Sequence, residues 1–142
     1  MRATRSGPGV AVVVLGVLAG LAGLAGCGGA EQATAAELCA SVHQLHVSAT
    51  TLAPQLAAVD EAGRRTLSYS LAEDVESARE ISARQAAGRR ETASPAIGAG
   101  DAAVVALRTP GSADWPGALT RLAATSAAVT GALGCAAAAP SG

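Results

Sequence analysis

The chain has 142 residues, a net charge of −1 made of ten arginines and eleven acids with no lysine, and a composition that is half hydrophobic. A chain of this length is one small domain. The faint negative balance lacks the basic stripe that nucleic acid requires, and one Trp and one Tyr with no Phe supply neither base-stacking platforms nor an aromatic-lined sugar site.

Residues 1–26 read as an address. The segment from Met1 to Arg5 carries Arg2 and Arg5 and no acid, and Val10 to Ala25 is an unbroken run of Val, Leu, Ala and Gly. A basic start, an apolar stretch of about 15 residues and a small-residue cleavage site form a secretory signal. The run is short of the roughly 20 apolar residues that span a bilayer, and its glycines make it a poor helix.

The residues Leu24-Ala25-Gly26-Cys27 resemble the lipobox of bacterial lipoproteins. The resemblance covers the first 27 residues, and all four motif positions match. It implies a diacylglyceryl group on the Cys27 sulfur, cleavage before Cys27, and a mature chain of 116 residues anchored on the outer face of the cell membrane. Two acyl chains make a stable anchor where one is marginal. An ordinary signal peptide with a coincidental cysteine and an uncleaved anchor helix are the competing readings. Residues 27–32, with Gly28 and Gly29, are expected to be a short flexible tether. Residues 33–135 are the folded unit, and 136–142 a frayed tail. Losing Arg2 and Arg5 takes the net charge to −3.

From Ala33 to Val59, Leu38, Val42, Leu45, Ala49, Leu52, Leu56 and Val59 recur in alternating steps of four and three, which predicts one face of an amphipathic helix. Pro54 either kinks this helix or opens a new segment capped by Thr50 or Thr51. A break at Gly63 precedes a second helix, Thr66 to Ala87, with Leu67, Leu71, Val75, Ala78 and Ile81 inward, a Glu80–Arg84 ion pair outside and Gly88 as its end. Residues 89–113 are the least regular: Pro95, Gly98 and Gly100 interrupt them, Asp101 is the better cap for a short run to Leu107, and Thr109-Pro110-Gly111 is a turn. A last helix opens with Asp114 as cap and Pro116 in its first turn. Its stripe is Trp115, Leu119, Leu122, Ser126, Val129 and Leu133, and Gly134-Cys135 closes it. No strand pattern and no internal repeat is present.

With Cys27 acylated, Cys39 and Cys135 remain, and in an oxidising compartment an even pair reads as a disulfide. Cys39 lies near the start of the first helix and Cys135 at the end of the last. In an up-down-up bundle of three those ends fall at opposite poles, too far for the roughly 7 Å that a bridge allows between Cα atoms. The chain must therefore cross an even number of times. The predicted fold is all-α: a small antiparallel bundle of three main helices with 89–113 as a shorter or irregular third crossing, its modest core stapled by the bridge.

Candidate chemistry is sparse. Cys39, His43 and His46 form a stripe beside the apolar one, which on a reduced chain has the donor types for a soft metal ion; a further ligand would have to come from another helix, and no third His exists. Glu73, Asp74, Glu76 and Glu80 lack the Glu-x-x-His pattern of a di-iron bundle and read as a solvated charged face. The serines have no Gly-x-Ser-x-Gly elbow, and the glycines at 98–100 have no phosphate-loop context. No cofactor and no catalytic residue is expected. A tether of so few residues puts the Cys39–Cys135 pole toward the membrane, with Trp115, Arg64 and Arg65 sharing the outer pole, the candidate partner site.

The arginine-rich, lysine-free composition looks like the drift of a GC-rich genome. Cys39, Cys135 and the heptads between them loosely resemble small Ala-rich helical lipoproteins of actinobacteria, a resemblance that implies architecture and no mechanism. The expected function is that of a lipid-anchored, non-enzymatic envelope protein that binds or supports a protein partner; the alternative is a small-ligand or metal-binding lipoprotein using the His43/His46 face.

Overall fold

The structure, a computed structural model, describes residues 27–135, with side chains from Ala35 onward. The expected signal peptide (1–26), the expected tail (136–142) and the side chain of Cys27 lie outside the described residues. Four helices follow one another, α1 (Cys27–Ala57), α2 (Glu61–Ala83), α3 (Ala87–Arg108) and α4 (Trp115–Ala132). Each packs against its neighbours in sequence, and α1 closes the ring against α4. The result is an antiparallel four-helix bundle.

The stripes read from the sequence form its core. Leu38, Val42, Leu45, Ala49, Leu52 and Leu56 of α1 are all buried, as are Leu71, Val75 and Ala78 of α2 and Leu119, Leu122, Ser126 and Val129 of α4. Leu67, Ile81, Trp115 and Leu133 pack on its margins. Val59, the last residue of the first stripe, is half-buried in the turn that follows α1. Pro54 does not split α1, which runs through it as one helix. The carbonyl that Pro54 deprives of its helical donor belongs to Thr50, and both residues are on the exposed side, where an unpaired backbone group costs least.

Three boundaries differ from expectation. Helix α1 begins at Cys27, so residues 27–32 are helical where a flexible tether was expected; Ala30, Glu31, Gln32 and Ala33 are strong helix formers or close to it and outweigh Gly28 and Gly29. The first break falls at residues 58–60, not at Gly63, because Asp60 is the N-cap of α2: its Oδ1 accepts from the Gly63 N–H at 2.8 Å. Gly63 therefore sits inside the first turn. Gly88 likewise belongs to the first turn of α3 and does not end α2.

The third crossing is the largest correction. Residues 87–108 form a regular helix of 22 residues in place of a short or irregular segment. Its buried face is Ala93, Ala96, Ile97, Gly100, Ala103, Val104 and Leu107. Small residues let α2 and α3 approach closely; a Cβ built at Gly100 would lie 2.5 Å from Cγ2 of Val75. Asp101 caps nothing. It sits mid-helix on the exposed side, and both its carboxylate oxygens accept from Nη2 of Arg79 at 2.7 Å; this contact raises the Arg79 pKa. Arg84 reaches Glu37 of α1 at 3.9 Å, not Glu80.

Cys39 and Cys135 are bridged, with Cα atoms 5.6 Å apart across a separation of 96 residues. The end of α4 delivers Cys135 to that position. Gly134 adopts φ +67°, its N–H donates to the Gly131 carbonyl at 3.0 Å, and the Cys135 N–H donates to Thr130 at 3.2 Å. This pair of bonds is the Schellman motif, in which a left-handed glycine reverses the chain out of the helix.

Candidate functional site

The bundle has two poles. One holds the disulfide and the α2–α3 turn. The other holds the α1–α2 and α3–α4 turns, and there the sequence-predicted residues meet.

At this second pole Glu61 joins the two turns. Its carboxylate accepts the backbone N–H of Gly111 at 3.2 Å and pairs with Arg65, one helical turn on, at 3.8 Å. Arg64 points the other way, toward the end of the core. Its Nη1 donates to the Val59 carbonyl in the turn after α1 at 3.2 Å, and its guanidinium lies 5.9 Å from the centroid of the Trp115 ring. A cation over an aromatic face at this distance is attracted by the ring quadrupole. Trp115, Arg64 and Arg65 thus share this pole, as expected; Arg64 is the direct neighbour of Trp115, while Arg65 is turned aside to Glu61.

Sequence reasoning missed a second pair. Arg108, the last residue of α3, lies 4.9 Å from the ring centroid of Tyr69 on α2. Its Nε donates to Oγ of Ser68 at 3.1 Å; Ser68 is fully buried and itself donates to the Arg65 carbonyl at 2.7 Å. Tyr69 is 58% exposed, the only large aromatic side chain to show that much surface. The signal available in the sequence was its place on the outer face of α2, two residues after Leu67 and two before Leu71.

Asp114 precedes α4 but does not cap it. Its backbone is helical (φ −91°, ψ −1°), and its side chain accepts from Nη2 of Arg121 at 2.9 Å. Every acid of this pole is therefore engaged, Asp60 as a cap, Glu61 between the turns and Arg65, and Asp114 on Arg121. Arg64 and Arg108 have no carboxylate partner among the described residues.

The His43/His46 face is arranged differently. The two rings lie 6.3 Å apart. Nδ1 of His46 is 2.9 Å from the Ala123 carbonyl, so that nitrogen carries the proton, since a carbonyl can only accept. Cys39 is bridged to Cys135, which removes the thiolate from the expected stripe. Among the described residues no three His, Cys, Asp or Glu side chains converge as metal ligands. His43 borders an open, largely apolar cleft of about 930 Å³ between α1 and the end of α4, lined also by Ala36, Ala40, the disulfide and Leu133.

The acidic row of α2 does not converge either. Asp74 accepts from the Ser48 hydroxyl of α1 at 2.5 Å, Glu76 pairs with Arg79, and Glu73 and Glu80 are exposed. No helix among the described residues is long and apolar enough to cross a membrane. No protein-family model, curated protein or solved structure matches this chain.

Proposed function

We propose that this is a lipid-anchored, extracytoplasmic and non-enzymatic protein of the cell envelope that presents its turn-bearing pole to a protein partner. The motif at residues 24–27 supplies the anchor, and the observation that carries the partner reading is the Arg64–Trp115 pair, placed where two turns meet at the end opposite the disulfide. Trp and Arg are the residue types that most often dominate protein interfaces. Helix α1, continuous from Cys27, rises about 1.5 Å per residue, so the bundle stands off its anchor on a helical stem, the disulfide pole nearer the lipid and the turns outward.

Two measurements test this together. Metabolic labelling with a fatty-acid analogue marks the wild-type protein, and Cys27→Ala abolishes the label and the membrane attachment; equal labelling of the variant removes the anchor. A photoreactive residue at the exposed Ala113 in the α3–α4 turn captures an envelope protein in membrane-bound cells, whereas one at the exposed Ala86 in the α2–α3 turn does not. Capture at Ala86 alone inverts the orientation.

A second reading rests on the cleft beside His43, which has the size and apolar lining of a small-ligand pocket. Equilibrium dialysis against zinc and copper tests its metal form; a stoichiometric ion displaced by His43→Ala and His46→Ala favours it over the partner pole.

A further inference from the structure

We infer that the partner pole is built to hold an acidic segment of a protein, gripped by Arg64 and Arg108; this rests on the partner reading above and gives it a chemistry. Four arginines in the described region are spoken for by carboxylates: Arg65 by Glu61, Arg79 by Glu76 and Asp101, Arg84 by Glu37 and Arg121 by Asp114. Of the other four, Arg89 and Arg90 stand exposed in the first turn of α3 at the opposite pole, with no ion pair and no side-chain contact among the described residues to fix them, whereas Arg64 and Arg108 are unpaired although three acids stand at the same pole. Each of those acids is engaged elsewhere, Asp60 on the Gly63 N–H, Glu61 on Gly111 and Arg65, and Asp114 on Arg121.

Both guanidiniums are nevertheless held in place. Arg64 is fixed by the Val59 carbonyl and Trp115, and Arg108 by buried Ser68 and Tyr69. Each uses one N–H donor in these contacts. A guanidinium has five donors in a planar fork that matches a carboxylate edge to edge. Its rotamer entropy is already spent in the free protein, which is the cost that preorganisation removes from binding. Ser68 brings the two together: it is Arg108's partner and lies one helical turn after Arg64 on α2, a spacing of about 5–6 Å between Cβ atoms. Two anchored forks at one end of the bundle, one beside Trp115 and one beside exposed Tyr69, suit a peptide that carries acids and apolar atoms together. A membrane phosphate is the poorer fit, because the pole faces away from the anchor.

The test uses the mature chain with its bridge intact and the emission of Trp115, its only tryptophan. The probes are a synthetic peptide with a run of Asp and Glu, the same peptide with Asn and Gln instead, and inorganic phosphate. The acidic peptide shifts Trp115 emission saturably, and added salt weakens the effect. Arg108→Gln loses about tenfold in affinity, the loss expected for one charge-assisted pair, although Arg108 does not touch Trp115; Arg108→Lys falls between. Should a variant unfold, the Nε–H resonances of wild type decide: those of Arg64 and Arg108 move with the acidic peptide and that of Arg79, already held by Asp101, stays. An equal response to the Asn/Gln peptide, equal movement of Arg79, or tighter binding of phosphate than of the peptide overturns the inference. No response to the acidic peptide while capture at Ala113 persists overturns the acidic chemistry and leaves the partner pole standing; loss of both removes both.

Discussion

The two poles of this bundle are closed by different means. At one, a covalent bridge joins the first helix to the end of the last, reached through a left-handed glycine and two backbone bonds. At the other, no bond is covalent: a capping aspartate, a carboxylate shared between two turns, and two arginines laid over aromatic rings hold the ends together. Interactions of the second kind contribute about 1 kcal/mol each, and each is made by a side chain that water reaches. The consequence is a division of labour. A core of Leu, Val and Ala with little aromatic area gains its security at the stapled end, and the unstapled end is left free to carry polar groups.

The sharpest way to break that contrast is to remove the staple. In the chain-entropy description a closed loop near 100 residues contributes about 4.7 kcal/mol, and loss of a native bridge from a small domain typically costs about 2–5 kcal/mol. The Cys39–Cys135 loop spans 96 residues. Cys39→Ser with Cys135→Ser is expected to lower the unfolding free energy within that range, read from urea melts followed by circular dichroism. Because the bridge lies at the far pole, the response of Trp115 to its surroundings in the folded fraction should not change. A melt unaltered by the double substitution would mean that the stapled end owes its order to packing alone.

How much of this was legible beforehand depended on residue size. The stripes of α1, α2 and α4 are written in Leu and Val at steps of three and four, and within those helices they face the core or its margin. The third helix is written in Ala and Gly. Ala93, Ala96 and Ala103 give little hydropathy contrast, and Gly100, which a single sequence presents as a breaker, is in three dimensions the point where α3 touches Val75. That a third crossing existed was legible from the two cysteines, since a bridge between them requires an even number of passes. The same even count brought Trp115 to Arg64. It did not reach Arg108 and Tyr69, because their meeting depends on α3 being a full helix that ends at Arg108, the feature the glycines hid.

The next largest effect follows from that point. Gly100→Ala adds one methyl in a place where its Cβ would lie 2.5 Å from Cγ2 of Val75, well inside contact distance. Overpacking of this size costs about 1–3 kcal/mol, against the roughly 0.8–1 kcal/mol that alanine gains over glycine in a helix. The net expected change is a loss of stability. Val75→Ala removes the obstructing methyls, so the double substitution is expected to recover part of the Gly100→Ala loss in a double-mutant cycle. Additive losses would show that α2 and α3 do not meet here, and would reopen the third crossing as the irregular segment.

The smallest effect separates two aspartates at the unstapled pole that look alike in sequence, each standing just before a helix. Asp60 is a true cap, its Oδ1 bonded to the Gly63 N–H at 2.8 Å with an extended backbone at ψ −177°. Asp114 has a helical backbone and makes no such bond; its carboxylate pairs with Arg121, with both side chains well exposed, 72% and 61%. Loss of an N-cap costs about 1 kcal/mol, whereas an exposed ion pair contributes about 0–1 kcal/mol and commonly toward the lower end. Asp60→Ala is therefore expected to destabilise by about 1 kcal/mol in any salt, and Asp114→Ala by less than half of that, with the difference from wild type shrinking further as salt is raised. Asp60→Asn sharpens the distinction, because asparagine caps as well as aspartate does and should restore the stability that alanine loses. If Asp114→Ala were instead the costlier of the two, the start of α4 would be the end that needs its carboxylate, and the pole would be held by the α3–α4 turn and not by the cap of α2.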